Sequence, residues 1–147
     1  MLKAADVMDI GMSGDPADSV VLYPPADATA VPVCFNGYES PTPKAPPGGF
    51  PSGYIATVQF GSNVGFKVDD HRLLAPDGTA LDHVFLAPFA DAAHGITKDT
   101  LADNWVAMYA NEPLENNVTY TVIIDFEQGG KPLHVEWSFT TGSKVCR

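Results

Sequence analysis

Two alternating runs around a pair of glycines, residues 120–141, constrain the fold of this chain more than any other feature. Tyr120, Val122, Ile124 and Phe126 alternate with Thr121, Ile123, Asp125 and Glu127, the period of two that puts one face of a strand inward. Gln128-Gly129-Gly130-Lys131 follows, and paired glycines accept the positive φ angles that a hairpin turn demands. The second run sets Val135, Trp137, Phe139 and Thr141 on one face and His134, Glu136, Ser138 and Thr140 on the other. The pattern predicts a closing β-hairpin, with Phe126 and Trp137 buried against a facing layer of strands.

Further strands are expected in VVLYP from Val20, VPVCF from Val31, YIATVQF (54–60), a run within 64–75, LDHVFLA (81–87) and NWVAMYA (104–110). Turn signals at Pro24-Pro25, Asp77-Gly78 and Asn111-Glu112-Pro113 separate them. With at most one helical turn, around 98–102, the expected class is an all-β, immunoglobulin-like Greek-key sandwich of about seven strands. Residues 41–53 hold five prolines and three glycines, too many for a helix or a central strand, and are expected to form a long exposed loop. Residues 1–16 have weak apolar spacing and are expected to be a linker or the remnant of an upstream segment, leaving 17–147 as the sandwich domain.

A chain of 147 residues is long enough for one domain with a true core, since at this size about 68–70% of the unfolded surface is hidden on folding. Eight basic residues against 18 acidic ones give a net charge of −10, which disfavours nucleic acid and anionic membrane surfaces as partners. The apolar runs are too short for membrane insertion. The N-terminus lacks the basic and apolar regions of a secretory signal, so the sequence fits either a cytosolic protein or an exported one whose leader, and an upstream domain with it, has been removed.

Tyr120 stands near the start of the penultimate strand, where in Greek-key sandwiches a tyrosine covers the core and bonds its hydroxyl to backbone upstream. Leu114, six residues earlier, is placed to plug the same end. The order VVLYPPADATAVPV, YIATVQFGSNV, PLENNVTYTVIIDF and HVEWSFTTG resembles a bacterial Ig-like domain of S-layer and other secreted surface proteins, over about residues 20–142. Leu114, Tyr120, Val122, Trp137, Phe139 and Thr141 match that family's closing motif, whereas Ala28 replaces the usual glycine of its opening. The arrangement is also similar to the C-terminal module of secreted proteins with an upstream CAP domain. The resemblance implies a secreted or periplasmic accessory, adhesion or ligand-binding module, with a protein or glycan ligand, no catalysis and no cofactor. In an Ig-like topology the ends of the first and last strands meet at one pole, so a Cys34–Cys146 disulfide is expected there, and such a bond favours an oxidising compartment.

Chemistry is sparsely signalled. No nucleophile elbow or phosphate loop occurs, and Ser138 with His134 on one strand face is a pairing common by chance. The principal rival is a periplasmic, copper-carrier-like metal-binding sandwich. Asp69-Asp70-His71 is its densest ligand cluster, although the histidines at 71, 83, 94 and 134 lack H-x-H or H-x-x-x-H spacing. For a binding surface, Phe35, Tyr38, Phe50 and Tyr54 flank the proline-rich segment, where stiffened aromatic rings can stack on a sugar or a peptide; the alternative is that they fold back over the sandwich edge.

Overall fold

The computed structural model describes residues 20–38, 43–60, 65–99 and 104–143. These are all-β, with no α-helix among them. Ten strands form: β1 (Val20–Tyr23), β2 (Cys34–Phe35), β3 (Ser52–Gly53), β4 (Ala56–Phe60), β5 (Lys67–Leu74), β6 (His83–Ala87), β7 (Thr97–Lys98), β8 (Trp105–Ala110), β9 (Thr119–Gln128) and β10 (Lys131–Thr140). The count exceeds the expected seven because three two-residue strands, β2, β3 and β7, arise where loops lie against a sheet. One sheet runs β1-β4-β8-β6-β7, a second β10-β9-β5, and β2-β3 form a small ribbon.

The closing hairpin takes the register its glycines allow. Gln128 pairs with Lys131 across a two-residue turn, and Gly129 and Gly130 have φ of 61° and 80°, the sign a type I′ turn requires at both positions. Val135, Trp137, Phe139 and Thr141 are buried, as are Tyr120, Val122, Ile124 and Phe126. They meet Val58 and Phe60 of β4, Phe85 of β6 and Val106 and Met108 of β8 in one core shared by the two larger sheets. Ile123 departs from the alternation. It lies on the outward face yet is buried, with Arg72 and Glu136 as its register partners on either side, where long charged side chains cover apolar surface with their stems.

Residues 20–31 link the sheets. β1 pairs antiparallel with β4; residues 27–31 then leave that sheet and run parallel to the end of β10. Asp27 N–H donates to Ser138 O, Thr140 N–H to Ala28 O and Gly142 N–H to Val31 O, and Val31 bridges Thr141 in parallel. Trp137 ties the crossing down from inside, its indole N–H donating to Pro24 O at 2.9 Å. At the same pole Tyr120 and Leu114 are both in the core, and the Tyr120 hydroxyl accepts the Glu115 backbone N–H at 2.9 Å. This is the corner contact expected from the tyrosine's place on its strand.

Two expectations about loops need correction. Of the helical turn expected around 98–102, Lys98 belongs instead to β7, parallel to β6, and residues 100–103 lie outside the described part. A 3-10 turn forms at Ala92–His94, ended by Gly95 in the left-handed region at φ 68° and closed by the Asp91–Ile96 bridge. Nor is 41–53 wholly an exposed loop. Pro46 is buried, Ser52 and Gly53 are buried in β3, and Phe50 of this segment lies with Phe35 and Ile55 over the outer face of the five-stranded sheet. There they pack on Val84, Leu86, Ala107 and Tyr109 as a second apolar cluster. Residues 1–16, expected as linker or remnant, lie outside the described residues.

Candidate functional site

A cleft of about 690 Å³ opens at one pole. One wall is the connection between β5 and β6, where Gly78 N–H donates to Ala75 O and the Asp77 carboxylate accepts Thr79 N–H in a tight turn. That N–H holds the Asp77 carboxyl below the usual carboxylate range. The other wall is the segment from β8 to β9, pinned by Leu114 N–H to Val33 O and Asn111 N–H to Asp82 O. Tyr120 lines the cleft beside it. Four carboxylates, Asp77, Asp82, Glu112 and Glu115, line it together with apolar Leu81 and Leu114, and among the described residues no lysine, arginine or histidine does. The Asn111 side-chain oxygen is buried and finds no hydrogen-bond donor among the described residues, and this residue also lines the cleft. The arrangement suits a cationic, hydrogen-bond-donating group held between apolar contacts.

The sequence missed this cleft because its walls come from two turns about 35 residues apart, each an ordinary turn alone. The only local signal was the density of acidic residues in both.

The Asp69-Asp70-His71 cluster does not converge. Asp70 pairs with Arg72 at 3.0 Å, and Asp69 is exposed at an irregularity in the β5 register. His71 points elsewhere, its Nδ1 lying 2.7 Å from His83 Nε2. The outer nitrogens of this pair reach backbone carbonyls: His71 Nε2 at 2.7 Å from His94 O, His83 Nδ1 at 2.8 Å from Leu81 O. Burial pushes both imidazoles below their ordinary value. His94 takes a separate partner, the Asp91 carboxylate at 2.7 Å. Among the described residues no group of three His, Cys, Asp or Glu side chains is placed to hold a metal ion.

The four aromatic candidates separate into three places. Phe35 and Phe50 fold back edge-on to each other, 5.6 Å between centroids, and both meet Tyr109. Tyr54 bonds its hydroxyl to that of Tyr23, and burial together with this partner pushes the Tyr54 phenol up to about 12. Tyr38 is 90% exposed and stands apart from both groups. The signal for the fold-back was present in NWVAMYA, whose lack of alternation marks a strand covered on both faces.

Ser138 and His134 do not meet: Ser138 shares a hydrogen bond with Thr121, while His134 lies between Asp125 and Glu136. The hydrogen bond to Asp125 raises the His134 pKa above its ordinary value. Cys34 is not a free thiol, and Cys146 lies outside the described residues. No helix among the described residues is long and apolar enough to cross a membrane. No protein-family model matches the chain, and neither a curated protein nor a solved structure does.

Proposed function

We propose that this chain is an immunoglobulin-like module of an exported bacterial surface protein, non-catalytic, binding a cationic extended segment of a protein partner in its polar cleft. The observation that carries the reading is the strand order. β1-β4-β8-β6 facing β10-β9-β5, with residues after β1 crossing to run parallel with the end of β10, supports this reading, since a constant-type sandwich orders its ABED and CFG sheets in the same way. The Tyr120 corner contact belongs to the same plan. Such sandwiches present their binding surfaces where turns cluster at a pole, which is where the four carboxylates stand.

The affinity is expected to be electrostatic at the rim and therefore to fall with salt. Measured by fluorescence anisotropy, a lysine- and arginine-rich peptide binds at low ionic strength and an acidic peptide of equal length does not. Replacing both Glu112 and Glu115 with glutamine weakens that binding about three- to tenfold without changing the melting temperature. Equal affinity for both peptides, or indifference to the double substitution, excludes the cleft as the site.

Export of this kind carries a Cys34–Cys146 disulfide, a pairing supported by the parallel Val31–Thr141 bridge, three residues before Cys34 in the sequence and five before Cys146. Intact mass before and after reduction, with iodoacetamide present, reads it directly: the protein takes up no label until reduced, then two. Label on the unreduced protein removes the disulfide and with it the argument for an oxidising compartment.

A further inference from the structure

His71 on β5 and His83 on β6 present a conflict that one proton resolves. A backbone carbonyl only accepts, so the contacts of His71 Nε2 with His94 O and of His83 Nδ1 with Leu81 O require a hydrogen on each outer nitrogen. A neutral imidazole carries one hydrogen. Two neutral rings would therefore leave bare lone pairs on His71 Nδ1 and His83 Nε2, which face each other at 2.7 Å. The ring centroids are 4.9 Å apart, the nitrogen separation plus little more than a ring radius at each end. The two lone pairs thus lie close to one line.

That line has room for hydrogen and not for a metal. Two nitrogens on a tetrahedral zinc stand about 3.3 Å apart, given Zn–N bonds of about 2.0–2.1 Å, and their lone pairs converge beside the nitrogen–nitrogen axis rather than along it. We propose that His71 and His83 share a single proton, forming a pH-operated latch that holds the edge strand β5 to β6 and to the turn at 91–96.

The surroundings favour one positive charge and oppose two. His71 stacks on Phe85, centroids 4.2 Å apart and rings within 18° of parallel, and an imidazolium is attracted to an aromatic face. Asp70 from β5 and Asp82, just before β6, favour the charged forms of His71 and His83 respectively. Opposing them are His94 in the turn, itself held by Asp91, the desolvation of both rings, and the Lys44 ammonium beside the recess that His83 lines. A second proton would place two cations 2.7 Å apart, so the pair takes one and refuses the next.

The sign on the acid side follows. Unfolded, both histidines protonate near their ordinary value of about 6.5. The folded pair binds one proton fewer, so this contribution to stability is lost as pH falls through and below that value. On the alkaline side loss of the shared proton leaves two facing lone pairs, and the latch opens.

Nitrogen-15 NMR of the imidazoles from about pH 5 to about pH 9 tests the assignment on the unaltered protein. Toward the acid end of that range, where burial places the uptake, hydrogens on His71 Nε2 and His83 Nδ1 are expected, with one further proton coupled to both inner nitrogens. Its loss on raising pH is expected to speed amide exchange of Gly95 and Ile96 more than fivefold over the change that pH alone causes. In His83→Gln, where the side-chain amide donates to His71 Nδ1 without an added proton, the pair's charge falls by one and that extra acceleration disappears. An outer nitrogen without hydrogen, two independent single-site titrations, or unchanged exchange after the proton is lost would each overturn the latch.

Discussion

Replacing Trp137 with alanine is expected to cost about 3–5 kcal/mol of unfolding free energy, read as a shift of the urea midpoint at constant slope. Trp137 is 3% exposed and sits in the core shared by the two larger sheets, so truncation leaves a cavity that rigid strands on both sides cannot close. The same side chain donates to Pro24 O, where the chain passes from the β1–β4 pairing to its parallel run along β10. Trp137→Phe separates these roles. It keeps an aromatic ring but orphans a buried carbonyl, costing about 1–3 kcal/mol together with the smaller volume loss. Against a total stability of about 5–15 kcal/mol for a domain, the alanine variant stands near the limit of folding. A loss below about 1 kcal/mol in the alanine variant would show that this ring does not join the sheets.

Gly53→Ala is expected to be the second most damaging change, at about 1–3 kcal/mol, although it adds one carbon. A Cβ there would lie 2.8 Å from Ala110 Cβ, 3.1 Å from Glu112 O and 3.2 Å from Ala110 N. Two of these neighbours are backbone and the third is a Cβ fixed to it, so no side chain can swing aside. The strand β3 must lift from β8, loosening Phe35 and Phe50 from Tyr109 and moving Glu112 at the rim of the cleft. Near-ultraviolet circular dichroism should therefore lose aromatic signal along with the fall in melting temperature. Gly48→Ala is the control, because a Cβ there meets nothing within 4 Å. If the two alanine variants melt together, the close approach of β3 to β8 is wrong.

Much of the fold is legible from local pattern because a strand's period of two is a property of consecutive residues. The closing hairpin, its glycine turn, the inward set from Tyr120 to Phe139 and the places of β1, β4, β5, β6 and β8 all follow from alternation and turn chemistry. Reading failed where a residue's environment comes from elsewhere in the chain. Phe35 and Phe50 look like free rings on a stiff loop until Tyr109, on the strand at 105–110, is seen to have an apolar outer face that needs covering. Asp69-Asp70-His71 looks like a ligand cluster because its members are neighbours, yet on a strand successive side chains point to opposite faces, which is what parts His71 from Asp70.

The sequence by itself determined that this protein is built from strands, and which side of the last two faces inward, since hydrophobic periodicity and positive-φ glycines act over a few residues. Only the tertiary structure decided which strands became neighbours. That choice carried residues 27–31 across to β10, set His71 against His83 and drew the carboxylates of two separate turns around one cleft. The physical reason is that burying an apolar face is non-directional: it demands that the face be covered and leaves the covering partner to the packing of the whole chain.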